Sequence, residues 1–247
     1  MTTRTSSSAY FYTSSVVKAR KLFFGSHKAT DNTTEMLVKS ASRRLDRCKN
    51  GKMLDIGTGN GFVLTEVCKT LKKVGDKELF GIDLSEHMVD EAKERSKKYK
   101  QIEILWGDNH VLPFDDNYFD VVTNKLVTNF SFSEVFRVLK KGGIFIFKEY
   151  GLLKGFGGIT EMFEDRIKTV DPLYYLEQLR KKNLQSFSYT QYYFEKTYSR
   201  EDIISVFSMA PIIKDFNVNK DMLKIDDLFV NGKIDVVSDP FLMIAKK

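Results

Sequence analysis

Between residues 50 and 150 the hydrophobic positions alternate between two rhythms. Short apolar runs at Met53 to Ile56, Leu79 to Ile82, Ile102 to Trp106, Phe119 to Thr123 and Ile144 to Phe147 read as buried strands. Phe62, Val63, Val67 and Leu71 recur at helical spacing between the first two runs. Ser85-Glu86-His87-Met88 caps and opens another helix that continues into Lys97-Lys98. Phe132 to Leu139 reads as a third, stopped by Lys140-Lys141-Gly142-Gly143. Strands and helices alternating at this length predict a parallel sheet covered by helices on both faces. Ligands of such sheets sit at the carboxyl ends of the strands.

The flanks are less regular. Residues 1 to about 13 are polar and expected to fray; Ser14 to about Cys48 reads as helices broken near Gly25. Asp31-Asn32-Thr33-Thr34-Glu35 is a capping signal ahead of Met36-Leu37-Val38. After Tyr150 comes a glycine-rich stretch, Gly151 to Gly158. A largely helical one follows, Ile159 to Leu184, broken at Asp171-Pro172, and then an aromatic one, Phe187 to Phe194. Ser199-Arg200-Glu201-Asp202 starts a helix leading to Phe207, and Ile212 to Val218 and Phe241 to Ala245 are predicted as the last two strands. The expected organisation is a single domain, 1–247: a helical cover (1–50), a ligand-binding core (51–150), a lid insertion (151–197) and a segment that completes the sheet (198–247).

Composition narrows this picture. The 247 residues include only 2 Cys, Cys48 and Cys68, both in helical patterns, so a disulfide framework is not suggested. The 3 His (His27, His87, His110) lack zinc-ligand spacing, and no metal is expected. The Ser-rich N-terminus lacks the apolar segment of a secretory signal, and no run approaches the length of a membrane span. The expected location is the cytoplasm. The net charge of +6 would suit nucleic-acid contact, but clusters such as Lys18-Ala19-Arg20-Lys21 and Arg180-Lys181-Lys182 are short, and a lysine-rich surface accounts for them.

The chemistry concentrates in Leu54-Asp55-Ile56-Gly57-Thr58-Gly59-Asn60-Gly61. Alternating glycines at a strand-to-helix turn let a ligand press on bare backbone, and the helix that follows offers unpaired N–H groups. The dinucleotide pattern G-x-G-x-x-G fails, because Phe62 and Leu64 stand where its last glycine would fall. Asp55, two residues before the first glycine, would repel a pyrophosphate and favour an ammonium group. S-adenosylmethionine (SAM) carries an ammonium and no phosphate. Two more carboxylates end successive strands. Asp83 is placed to accept from ribose hydroxyls, and Asp108, within Gly107-Asp108-Asn109, to accept from an adenine amino group. Leu84, Met88 and Leu112 are candidate walls for the purine.

This stretch resembles motif I of the class I SAM-dependent methyltransferases. Gly107-Asp108 through Leu112-Pro113-Phe114, Asp116-Asn117-Tyr118-Phe119-Asp120-Val121-Val122 and Glu134 to Gly143 look like the ubiquinone/menaquinone-biosynthesis type. Pro240 to Ala245 resembles that group's closing antiparallel strand. The resemblance implies an α/β, Rossmann-like, doubly wound seven-stranded sheet, mostly parallel, with a helical and aromatic lid. It also implies an enzyme that binds SAM and transfers its methyl group. The expected cofactor-binding set is Asp55, Gly57, Thr58, Gly59, Gly61, Asp83, Leu84, Met88, Gly107, Asp108, Asn109 and Asn124.

The favoured acceptor is a small molecule; RNA or protein as acceptor, and SAM binding without turnover, remain alternatives. The N/D-P-P-Y/F motif of amino-group methyltransferases is missing at Asn124 to Asn129, and no cysteine sits where a cytosine-C5 mechanism needs one. No catalytic base is identified; Glu149 and Tyr150, just past the fifth strand, are the best-placed candidates, with His27 and His110 behind them. Tyr12, Tyr174, Tyr175 and Tyr192 are candidates to line an acceptor pocket. The chain is expected to be a monomer or a homodimer.

Overall fold

The structure, a computed structural model, describes residues 32–167, 171–210 and 212–247. Two compact units divide it: Thr30–Glu149, Pro172–Thr190 and Phe241–Lys247 form the sheet unit, and Tyr150–Asp171 with Gln191–Pro240 form an accessory unit. Tyr12, Phe23, Phe24 and His27 lie outside the described residues.

The sheet unit carries β1 (Lys52–Ile56), β2 (Glu78–Asp83), β3 (Ile102–Trp106), β4 (Phe119–Lys125), β5 (Leu139–Tyr150), β6 (Ser186–Gln191) and, last in the chain, β9 (Pro240–Lys246), in the spatial order β3-β2-β1-β4-β5-β9-β6. β1 pairs in parallel with β2 and β4, β2 with β3, and β4 with β5. The order turns back at β1, so the carboxyl ends of β1 and β4 flank the switch point where ligands of doubly wound sheets bind. Its helices are α1 (Asn32–Asp46), α2 (Phe62–Thr70), α3 (Glu86–Ser96), α4 (Phe132–Val138) and α5 (Pro172–Arg180). α1 buries Leu37, Val38, Ala41 and Leu45 on one face and packs on α2 and β4. Strands β1 and β4 are covered on both faces, which explains the consecutive apolar pairs Met53-Leu54 and Val121-Val122.

The accessory unit has its own sheet, β7 (Phe194–Ser199) paired antiparallel with β8 (Lys233–Ser238). Against it pack α6 (Arg200–Met209), α7 (Val218–Ile225) and a 3₁₀ turn at Thr160–Arg166. They enclose a core built on Phe156, Ile159, Phe163, Ile203, Phe207, Met222, Ile225 and Val236. The Ser199 hydroxyl and Asp202 form a reciprocal capping box that starts α6 where the sequence placed a helix.

Three sequence expectations are corrected here. Ile212 to Val218 is not a strand: Asp215 turns into the left-handed region (φ 54°), and Asn217 caps α7 through the Lys220 N–H. Its apolar side chains pack on the accessory core, which gave them their strand-like look. The sheet position is filled instead by β6, inside the stretch expected to be a lid. Only Pro240–Lys246 of the stretch 198–247 joins the seven-stranded sheet. The largely helical stretch expected from Ile159 to Leu184 does resume after its expected break, as α5 from Pro172, but ahead of the break it is a 3₁₀ turn, Thr160–Arg166, and not an α-helix.

Candidate cofactor and methyl-transfer site

Three acidic side chains stand at the carboxyl ends of adjacent strands. Asp55 is the fourth residue of β1, Asp83 the last of β2, and Asp108 follows β3 by two residues. Between β1 and α2, Gly57, Gly59 and Gly61 all take positive φ (61°, 54° and 73°), so the bend folds tightly on bare backbone. The two outer glycines are hemmed in. A Cβ on Gly57 would meet Val127 Cγ2 at 2.2 Å, and one on Gly61 would meet Ala92 Cβ at 3.2 Å. A Cβ on Gly59 would meet nothing within 4 Å among the described residues. The crest of the bend is thus open, and a ligand there lies against peptide groups.

Asp55 is 2% exposed. The Thr58 hydroxyl donates to its Oδ2 at 2.9 Å and the Thr123 hydroxyl to its Oδ1 at 2.6 Å. Burial pushes its carboxyl up to about 6, against the opposing pull of these two hydroxyls. Asp83 accepts the Gly59 N–H at 2.8 Å on Oδ2 and the Ser85 N–H at 3.0 Å on Oδ1. It therefore ties the crest of the bend to the start of α3. The Thr58 N–H donates to the Ile82 carbonyl, which fixes the bend to β2.

Asp108 is exposed and Asn109 half-buried. Burial raises the Asp108 carboxyl, but the backbone N–H, ring and charge of His110 together outweigh it and hold the group below its ordinary range. His110 Nδ1 lies 2.8 Å from Asp108 Oδ1, and its Nε2 lies 3.2 Å from Asn129 Oδ1. Gly107 donates its N–H to the Asp83 carbonyl. Leu84 is exposed and Met88 buried. Asn124 is fully buried and clamps its own turn: Nδ2 donates to the Val127 carbonyl and Oδ1 accepts the Val127 N–H. That clamp, with Leu126 at φ 65°, sets Val127 over Gly57.

The Leu112-Pro113-Phe114 loop is lashed to α4. Glu134 accepts the Leu112 N–H at 2.8 Å, and Arg137 donates to the carbonyls of Phe114 (2.7 Å) and Leu112 (2.9 Å) while pairing with Glu134 and Asp116. Of the remaining candidates, Glu149 is 5% exposed near the end of β5, and Tyr174 and Tyr175 lie on α5. Tyr150 and Tyr192 belong to the accessory unit, where the Tyr192 ring stacks on Phe194. Sequence reading missed Thr123, Val127, Arg137 and the His110–Asn129 link. The i, i+3 spacing of Glu134 and Arg137 on a helix was the one visible signal among them.

Residues 54–147 match the family described as methyltransferase domain. The match takes in the glycine bend and all three acids, and the sheet order around them agrees with it. The chain is 35% identical over 118 residues to a demethylmenaquinone methyltransferase of Staphylococcus saprophyticus, covering 45% of this chain and 46% of that protein. It is 35% identical over 104 residues to the protein of that name from Staphylococcus aureus strain Newman, covering 40% and 42%. It thus spans just under half the length of these curated relatives. Among solved structures, the YcgJ protein of Bacillus subtilis superposes with a TM-score of 0.64 at 18% identity, over 88% of this chain and 99% of that one. Phosphoethanolamine N-methyltransferase 2 of Haemonchus contortus, solved with SAM, gives 0.61 at 21% identity, over 96% and 57%. Both likenesses establish the fold.

Proposed function

We propose that this chain transfers the methyl group of SAM to a small-molecule acceptor. The observation that carries the reading is the open crest at Gly59, flanked by Asp55, Asp83 and Asp108 on three neighbouring strand ends. SAM supplies the activated methyl group on a sulfonium. Gly57 to Gly61 would receive its amino-acid end along the bend. Asp55 is too buried for wide contact, so it favours an ammonium through its charge, which is little screened at that depth. Asp83 would take the ribose hydroxyls, and Asp108 with the Asn109 N–H the adenine edge, beside Leu84 and Met88. Asn124 acts by shaping the turn that carries Val127.

The protein's remaining task is alignment. Holding acceptor, methyl and sulfur in line while excluding water contributes on the order of 7–11 kcal/mol. For an acceptor whose reacting atom carries a proton, Glu149 is the group we assign to remove it. The Staphylococcus relatives, named for demethylmenaquinone, make a flat, ring-bearing acceptor the first to test. Among the described residues no helix is long and apolar enough to cross a membrane.

Calorimetry with SAM and with its demethylated product, S-adenosylhomocysteine, tests the cofactor assignment. Saturable binding of both, weakened at least tenfold in Asp83→Ala, is the expected outcome. Absence of heat for either would refute it. Label from methyl-labelled SAM, followed into small molecules, RNA or protein of a fractionated extract, then decides the acceptor class.

A further inference from the structure

Helix α5 lays Tyr175 against a wall of aromatic rings. Phe147 meets it edge-on at 4.6 Å between ring centres, Phe241 lies at 6.0 Å and Phe132 at 6.4 Å. The residue is fully buried. Its ring suits this setting, but its hydroxyl does not: the oxygen is buried and has no hydrogen-bond partner among the described residues. An orphaned buried hydroxyl costs about 1–3 kcal/mol. Phenylalanine, already present at 132, 147 and 241, would keep the ring contacts without that cost.

The strand beneath shows where the oxygen can find a partner. Phe145, Phe147 and Glu149 alternate along β5 and therefore share one face of the sheet. The Phe145 and Phe147 rings lie stacked on it, 6.1 Å apart and 8° from parallel. Tyr175 packs on Phe147, the residue two before Glu149. After burial, the Glu149 charge is the main influence that pushes the Tyr175 phenol above its ordinary range. The phenol is therefore a donor throughout the neutral range. Toward this end of β5, Lys148 lies on the opposite face of the strand and Lys125 of β4 is registered on it, while Lys140 and Lys141 of β5 and Asp120 of β4 lie toward the other end; Tyr174 also contributes from α5.

We infer that Tyr175 is a positioning residue: its hydroxyl is held ready to donate to the Glu149 carboxylate, keeping that group ionised and aimed at the carboxyl end of β5. This rests on the proposed role of Glu149 in taking a proton from the acceptor. In that step the acceptor's bond to hydrogen breaks, the proton passes to the carboxylate, and the electron pair left behind attacks the methyl carbon as the sulfur departs. Tyr175 gains its missing partner only through Glu149 and never touches the methyl group.

The test is the Tyr175→Phe variant with carbon-13-labelled glutamate, titrated by NMR and melted beside the wild type. No acceptor is needed. We expect the Glu149 carboxyl, assigned by its loss in Glu149→Gln, to titrate about one pH unit higher in Tyr175→Phe, as loss of a donor to the charged form requires. The variant should fold and lose stability only above the Glu149 midpoint, its gap to wild type closing as the pH falls below it. An unmoved Glu149 midpoint overturns the inference. So does a variant that melts several degrees lower at every pH or fails to fold, because the hydroxyl would then serve a structural partner other than the carboxylate. Binding of S-adenosylhomocysteine, measured on the same samples, reports separately on the proposed function.

Discussion

The Thr123 hydroxyl on β4 donates to Asp55 on β1 across 2.6 Å, and both side chains are buried between paired strands. This bond and its partner from Thr58 are what make a carboxylate tolerable there. Burial still wins, and the carboxyl sits near 6 against an ordinary value of 3.8. The folded state therefore holds its proton more tightly than the unfolded chain does. Stability from this group is fullest below the unfolded value and is lost as the pH rises from about 4 through about 6. Above that, the charge costs roughly 3 kcal/mol.

Asp55→Asn should consequently raise the melting temperature of the ligand-free protein at pH 8 while weakening SAM. Thermal melts at pH 4.5 and 8, paired with calorimetry, check both halves. A variant that melts lower at pH 8 would show that the carboxylate stabilises the fold. Thr123→Val removes one donor to the charged form and should lower SAM affinity most between pH 6 and 7.

Gly57 and Gly59 should fail in different ways when changed to alanine. Both hold positive φ, a strain of roughly 1–2 kcal/mol for any side chain. At Gly57 the new methyl also lands 2.2 Å from Val127 Cγ2, whereas at Gly59 it enters open space. Gly57→Ala should lose stability heavily and regain much of it when combined with Val127→Ala. Gly59→Ala should fold with the modest strain alone and lose cofactor binding, because the methyl fills the ligand's place. Denaturant melts of the three variants separate these outcomes. Equal losses in both single variants would contradict the geometry.

How much of this was legible before the fold is clear from where each residue gets its partner. Strands β1, β2 and β4 announced themselves because burial on both faces leaves no polar alternation, whereas β3, at the sheet edge with Glu103 and Trp106 exposed, showed only as a short apolar run. The acids at their ends and the glycines between β1 and α2 are local features, readable in order along the chain. β6 was hidden, since Ser186-Phe187-Ser188-Tyr189-Thr190-Gln191 is a half-polar edge strand. Ile212 to Val218 misled because apolar residues packing on a small core look like a strand when that core is unknown. Thr123 and Val127 matter only through sheet register, which sets β4 beside β1. Spacing within one strand cannot carry that information.

Arg137, together with Glu134, ties the loop expected to border the adenine to α4. Its five donors serve two carbonyls and two carboxylates, a fork that lysine cannot reproduce. Arg137→Ala should cost about 1.5–3 kcal/mol, the usual loss for hydrogen bonds to charged groups. Arg137→Lys should recover little of it. In both variants SAM affinity should fall more than affinity for methionine, which lacks the adenine. Comparable losses for the two ligands would place the effect on the whole domain.

Trp106 offers a direct view of the same region. It is the chain's only tryptophan, is 61% exposed, and donates its indole N–H to the Leu84 carbonyl at 2.9 Å. A purine settling beside Leu84 should alter its emission, so titration with S-adenosylhomocysteine should give a saturable fluorescence change with the calorimetric affinity. Heat without any change in emission would move the purine away from Leu84.

In the accessory unit, Arg166 grips Asp221 with both guanidinium nitrogens, at 3.0 and 2.7 Å, while the Asn217 N–H donates to the same carboxylate at 2.7 Å. These hydrogen bonds from Arg166, foremost among the causes, hold the Asp221 carboxyl below its ordinary range. The sign is opposite to that of Asp55. The pair's contribution is complete above the unfolded carboxylate value and disappears as the pH falls below it. Asp221→Asn should therefore lower stability at pH 7 by about 1.5–3 kcal/mol and narrow its gap to wild type as the pH drops below about 4. Because the pair belongs wholly to the accessory unit, proteolysis in the variant should begin between residues 191 and 240. First cleavage within residues 52–125 instead would show that the sheet unit yields before the accessory one.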